Sequence, residues 1–105
     1  MHEDNGLAEA AQLFKVLGNV SRLQLLRLIG ESPQTVSGLV AATGMSQPLV
    51  SQHLRTLRQA GLAAAARDGK AVRYSLADDH VAHVVSDALE HVNETIGPHT
   101  SPDLH

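Results

Sequence analysis

Two apolar-periodic segments meet at a three-residue corner in Thr35-Val36-Ser37-Gly38-Leu39-Val40-Ala41-Ala42-Thr43-Gly44-Met45-Ser46-Gln47-Pro48-Leu49-Val50-Ser51-Gln52-His53-Leu54-Arg55-Thr56-Leu57-Arg58-Gln59-Ala60-Gly61. Thr35 is a capping residue for a short helix through Val36, Leu39, Val40 and Ala41 that stops at Gly44. Ser46 then caps a second helix, residues 47–60, which ends at Gly61. A sharp, glycine-containing connection between two helices is the pattern of a helix-turn-helix. At about 100° per residue, Val50, Leu54 and Leu57 share one face of the second helix. Pro48, Ser51, Gln52, Arg55 and Gln59 cluster on the opposite face. That outward face is short, polar and cationic, so it suits base edges and phosphates in a major groove; an ordinary solvated helix face is the alternative. His53 falls near the apolar edge and is expected to be a partly buried structural histidine.

Upstream, Leu7, Ala10, Ala11, Phe14 and Leu17 recur at helical spacing before Gly18, which predicts an amphipathic helix over residues 7–17. Asn19 restarts the chain as a cap, and the leucine-dense residues 20–29 read as a mostly buried helix closing at Gly30. Downstream, Asp68-Gly69 is a hairpin signal. Val72, Tyr74 and Leu76 alternate with Arg73 and Ser75, as in a strand with one buried face. Ala63 to Ala66 is poor strand material and is assigned as the partner strand by inference from the second. Arg67, Lys70 and Arg73 make the hairpin a basic wing able to reach a phosphate backbone.

The 105 residues suffice for one domain, with residues 1–6 expected as a flexible arm, 7–96 as the folded unit and 97–105 as a His-containing tail. The net charge of −3 conceals a split. Residues 46–77 carry Arg55, Arg58, Arg67, Lys70 and Arg73 against Asp68 alone, a net of +4. Residues 78–105 carry six carboxylates and no Lys or Arg. A basic middle fits a polyanion and an acidic, His-rich end fits a cation. Zero cysteines exclude disulfides, thiolate zinc sites, iron–sulfur clusters and cysteine nucleophiles. Phe14 and Tyr74 are the whole aromatic complement, which disfavours base-stacking platforms. No apolar run approaches the roughly 20 residues of a membrane span, and His2, Glu3 and Asp4 do not resemble a secretory start. A cytoplasmic protein without membrane attachment is expected.

The final helix begins with Asp78 or Asp79 as cap and ends at Gly97-Pro98. Val81, Val84, Val85, Ala88, Leu89 and Val92 form its apolar stripe, expected to pack on a second subunit, with packing on its own domain as the alternative. Asp78 and His80 sit at its start, and His91 and Glu94 share a face near its end. His80 and His91 are separated by about 16 Å of helix, so one chain cannot close a metal site around all four groups. An antiparallel partner helix in a homodimer would face Asp78 and His80 of one chain with His91 and Glu94 of the other. Two imidazoles and two carboxylates suit tetrahedral Zn(II). Ni(II) or Co(II) would be preferred if six ligands assemble, with His2, His83, His99 and His105 as spare donors. His83 also stands where it can pair with His80 or Asp87.

These stretches together resemble the ArsR/SmtB family of bacterial metal-sensing repressors over about residues 7–96. The resemblance is carried by Leu17-Gly18-Asn19-Val20-Ser21-Arg22-Leu23, by Ser46 to Leu54, by Asp68-Gly69 with Val72-Arg73-Tyr74-Ser75-Leu76, and by the terminal Asp-x-His followed by His-x-x-Glu. Val20 stands where many members have proline, and Thr35-Val36-Ser37-Gly38-Leu39 lacks the thiols with which some members sense arsenic, cadmium or lead. The terminal pattern is similar to that of the zinc-sensing branch. The resemblance implies a mainly α, winged helix-turn-helix homodimer of five helices and a two-stranded wing, holding operator DNA when metal-free and released by metal. It implies Asp78, His80, His91 and Glu94 as ligands, and Ser46, Gln47, Pro48, Ser51, Gln52 and Arg55 on the recognition helix, with Arg67, Lys70 and Arg73 on the wing, as DNA-facing. It further implies a bond from the free ring nitrogen of His91 to the backbone near Gly61. A metal-independent regulator of the same fold is the competing reading. An enzyme is the weaker rival, since no nucleophile motif or phosphate loop is present, and no small organic substrate is expected.

Overall fold

The computed structural model describes residues 5–96, with side chains to residue 94; residues 1–4 of the expected arm and the whole expected tail, with His2, His99, His105 and the expected helix end at Gly97-Pro98, lie outside the described residues. The order of elements is α1 (Leu7–Leu17), α2 (Val20–Glu31), α3 (Val36–Thr43), α4 (Gln47–Gln59), β1 (Ala63–Asp68), β2 (Ala71–Leu76) and α5 (Asp79–Ile96). Each start signal is met by an observed cap. Asn19 Oδ1 accepts from the Arg22 amide (2.9 Å), Thr35 Oγ1 from the Gly38 amide (3.0 Å) and Ser46 Oγ from the Leu49 amide (3.3 Å). At α5 the cap is Asp78, whose Oδ1 accepts from the Val81 amide at 3.1 Å.

The core gathers one face of every helix. Leu25, Leu26, Ile29, Leu39, Val50, Leu54, Leu57 and Leu62 are fully buried, each contributing about 1.5–3 kcal/mol of apolar transfer. The buried face of α4 is the Val50, Leu54 and Leu57 stripe expected from its period. Helix α2 is less buried than its composition suggests: Leu25, Leu26 and Ile29 face inward, while Val20 stands 82% exposed. Nor does it stop at Gly30, but runs on to Glu31, with Ser32 as the extended cap before Pro33. Gly30 serves packing instead: a Cβ there would sit 3.0 Å from Leu76 Cδ1 on β2.

The hairpin pairs Ala63 with Leu76 through to Asp68 with Ala71, so the alanine run is a strand despite its low propensity. Asp68 belongs to the ladder, and the two-residue turn is Gly69-Lys70. Gly69 holds φ +66° and Lys70 is not left-handed, the Gly-first arrangement of a type II′ turn. The wing is also anchored sideways. Gln34, just before α3, exchanges two backbone hydrogen bonds with Tyr74, Tyr74 N to Gln34 O at 2.7 Å and Gln34 N to Tyr74 O at 3.0 Å.

Helix α5 departs from the single seam its stripe suggested. Val81 and Val85 are buried in the chain's own core and Leu89 packs against it, so α5 is part of the folded unit. Val84 and Val92 face outward, 38% and 46% exposed, with Ala88 also exposed between them. Among the described residues no helix is long and apolar enough to cross a membrane.

Candidate nucleic-acid interface and metal centre

The outward side of α4 and the wing share one face chemistry. Ser46, Gln47, Pro48, Gln52 and Arg55 are exposed and Ser51 is half-buried; Pro48, Ser51, Gln52 and Arg55 lie on the side of α4 away from its core stripe, with Ser46 and Gln47 at its leading end. Pro48 sits in the first turn, where a missing N–H costs nothing. The hydroxyl of Ser46 is engaged as the helix cap, and Gln47 Nε2 donates to Ser51 Oγ at 3.1 Å, which orders two of the polar groups along the helix. Arg67, Lys70 and Arg73 are all exposed on the wing. They are not equivalent: Arg73 Nε donates to Asp68 Oδ2 at 2.9 Å across the hairpin. Asp68 thus lowers the net charge of the wing tip and splints it, leaving Arg67 and Lys70 without a carboxylate partner among the described residues. One cation that sequence reasoning did not assign to this face is Arg58. It lines a cleft of about 520 Å3 with Ser51, Arg55, Gln59 and Tyr74, between the end of α4 and β2. Only its position three residues after Arg55 signalled it.

His53 lies on the flank of α4, half-buried. Burial, followed by the charge of Arg22, holds its imidazole below the ordinary value of 6.5. Arg22 is itself fixed by its Nε bond to the Val16 carbonyl at 2.8 Å.

At the acidic helix, Asp78 Oδ1 and His80 Nδ1 approach to 3.7 Å, both side chains well exposed. His91 and Glu94 are exposed about three to four turns further on. Among the described residues of one chain, no group of three or more His, Asp or Glu side chains gathers as a metal cage. The four expected ligands thus fall into two separate pairs, Asp78 with His80 and His91 with Glu94. The Asp78/His80 half borders a hollow of about 160 Å3 whose walls include Leu13, Leu17, Gly61, Leu62 and Val84. Gly61 and Leu62 close the end of α4, and the amide of Ala77 donates to the Leu62 carbonyl at 3.1 Å. The residue that leads into α5 is therefore bonded to the segment that follows α4, one step beyond the Ala63–Leu76 pair of the hairpin. The backbone at Gly61 neighbours Asp78 and His80 of the same chain, so the implied His91 bond can reach it only from a partner. His83 does not join His80: it lines the α2–α5 groove with Leu26 and Glu90, whereas His80 lines the Gly61 hollow.

Phe14 on α1 is 60% exposed next to the outward Val84 and Ala88 of α5, and Leu7, about two turns earlier, is 69% exposed. Phe14, Leu17, Leu23, Val84, Val85 and Ala88 line an apolar trough of about 240 Å3. Sequence reasoning placed an outward apolar face on α5 alone; its extension onto α1 was signalled by Phe14, the single phenylalanine of the chain.

Residues 19–65 match the model of the bacterial regulatory protein, arsR family. The chain is 42% identical over 88 residues to the HTH-type transcriptional repressor SmtB of Mycobacterium tuberculosis, covering 84% of this chain and 65% of that protein. It is 37% identical over 89 residues to the HTH-type transcriptional regulator NmtR of the same species, covering 85% of this chain and 74% of that protein. In structure it is similar to the homodimeric winged helix-turn-helix DNA-binding domain of a possible ArsR-family regulator from Mycobacterium bovis, with TM-score 0.84, 29% identity and 94% of each chain covered. The chain spans about two thirds of the length of SmtB, somewhat more of NmtR.

Proposed function

Since the chain belongs to the arsR family of bacterial regulatory proteins, whose members are transcriptional regulators and not enzymes, we propose that it is a homodimeric repressor that holds operator DNA when metal-free and releases it on binding Zn(II) between subunits. The observation that carries this reading is the placement of Asp78 with His80 and of His91 with Glu94 toward opposite ends of α5, with Ala77, just before the first pair, bonded to Leu62 in the segment after α4.

Pairing of two copies through the apolar α1–α5 face would run the two α5 helices antiparallel. Asp78 and His80 of one protomer then meet the partner's His91 and Glu94, twice by symmetry. The donor set of two imidazoles and two carboxylates balances a divalent cation and fits tetrahedral coordination. Asp78 Oδ1 is engaged by the Val81 amide, which fixes the carboxylate and leaves Oδ2 as its coordinating oxygen. Ni(II) or Co(II) in a larger shell is the alternative effector.

In the metal-free dimer, the α4 helices enter successive major grooves about 34 Å apart. Ser51 and Gln52 contact base edges, with Gln47 and Pro48 at the leading end, while Arg55, Arg67, Lys70 and Arg73 contact phosphates. Closure of the two inter-subunit cages fixes the pose of the α5 pair. Because the residue leading into α5 is bonded to the segment that follows α4, that pose bears on the spacing of the reading helices. The partner's His91, brought to the Asp78/His80 end, comes within the neighbourhood of the Gly61 backbone and can pass strain to α4 through its second ring nitrogen. Linkage requires DNA to weaken metal binding by the factor with which metal weakens DNA binding. Electrophoretic titration of the DNA upstream of the chain's own gene, with and without Zn(II), Ni(II) and Co(II), tests the reading. Unchanged retardation with every metal would leave a metal-independent regulator.

A further inference from the structure

The exposed side of α4 divides by chemistry along its length. Its first two turns present neutral amides and hydroxyls, Gln47, Ser51 and Gln52. Its last turns present Arg55, Arg58 and Gln59, which with Ser51 and Tyr74 wall the cleft against β2. No carboxylate lines that cleft, and among the described residues neither guanidinium has an acidic partner. In a chain of net charge −3, two adjacent unpaired arginines in a recess with no acid form an anion seat.

The third wall is unusually well fixed for a wing residue. The backbone of Tyr74 is held on both sides by Gln34, and its ring packs against the core. Tyr74 lines the cleft with Arg55 and Arg58, and its phenol oxygen has no hydrogen-bond partner among the described residues, so its O–H is free to donate. Position along α4 selects the anion. Ser51 to Arg58 is about 10 Å of helix, comparable to the roughly 12 Å width of a major groove. With the neutral half of α4 over base edges, the cationic end lies at the groove's margin, where the sugar–phosphate backbone runs.

We propose that the cleft between the C-terminal half of α4 and β2 seats one backbone phosphate of the DNA, held by the Arg55 and Arg58 guanidinium groups and the Tyr74 hydroxyl. The proposal rests on the DNA-binding reading and adds to it Arg58 and Tyr74 as positioning contacts. The seat sets the register of α4 in the groove, and the base-reading groups take their positions from it. It contributes affinity without sequence preference.

The test is fluorescence anisotropy of the full chain on two labelled duplexes, one from upstream of its gene and one of scrambled sequence, across a salt series. Wild type, R58Q, R58K and Y74F are compared, with Q52A as the base-reading control. R58Q is expected to flatten the slope of log K against log salt by about 0.9, the loss of one phosphate contact, and to weaken both duplexes by the same factor. R58K should restore the slope, and Y74F should weaken both duplexes with the slope intact. Q52A should weaken the upstream duplex alone. Unchanged affinity and slope in both R58Q and Y74F, with circular dichroism showing them folded and wild type binding, would overturn the phosphate seat alone. Wild type binding neither duplex would overturn the DNA reading and the seat with it. If R58Q does not fold, the outcome for Y74F decides.

Discussion

Mixing two damaged versions of the protein should rebuild what each has lost. His80 and His91 lie eleven positions apart on one helix, about 16 Å along its axis, while a metal bond to imidazole is about 2 Å. A cage containing both must therefore draw them from different chains. Homodimers of H80A lack one imidazole in both cages, and homodimers of H91A lack the other in both. In a mixed dimer the damage segregates: one cage carries both losses and the other carries neither. Random exchange of equal amounts makes about half the dimers mixed, so about one quarter of the wild-type tight sites should return. The assay is Co(II) titration followed by its d–d absorption, or Zn(II) competition against a chromophoric chelator, on each variant alone and on the mixture after subunit exchange. Either variant alone should show no tight site. Failure of the mixture to regain tight sites once exchange is verified, or wild-type stoichiometry in either homodimer, would refute the antiparallel pairing of α5.

Four further outcomes are expected. F14E places charges on the exposed α1 face; losing about 1.5–3 kcal/mol of phenylalanine burial on each side of a two-fold seam should raise the dimer Kd by about 10²–10⁴, read by sedimentation velocity. L57A empties a fully buried position and should destabilise the chain by about 2–5 kcal/mol in urea melts followed by circular dichroism, at matched protein concentration. His53 has a folded-state pKa held below 6.5, so the unfolded chain binds its proton first; the stability this residue contributes is full above 6.5 and falls as pH drops toward the folded value. H53Q should therefore show a smaller loss of stability than wild type between about pH 7 and 5, and identical slopes would contradict the burial. H91N should retain substantial metal affinity through Nδ-like amide oxygen donation yet lose metal-driven release of DNA; release at the wild-type metal concentration would exclude the bond to the Gly61 backbone.

The elements were legible because their punctuation is local. Asn19, Thr35 and Ser46 announce helices through groups they themselves bond, and the period of Val50, Leu54 and Leu57 marks the buried face of α4. What the sequence did not disclose depends on tertiary neighbours. Gly30 looks like a helix stop, but its role is to let Leu76 approach α2, a contact between residues 46 positions apart. Asp68-Gly69 marks the hairpin correctly and its turn one residue early, because the register places Asp68 opposite Ala71. The α5 stripe has one period but two surfaces to cover, and only the position of α2 separates Val81 and Val85 from Val84. Among the candidate site residues, the half-site spacing was readable from helix geometry. The neutralisation of Arg73 by Asp68 requires the hairpin's own register, and the company Arg58 keeps with Tyr74 requires the wing to fold back beside α4.

Helix α5 supports its own core on one side and offers valine and alanine outward on the other. In the proposed dimer, assembly and folding would share a single structural member, and a solitary protomer would have one flank of that member wetted. Thermal midpoints should climb with protein concentration, because mass action on the pair stabilises each copy. In a cell, the same arithmetic makes scarce protein the more fragile protein, so abundance itself tunes how long the regulator lasts.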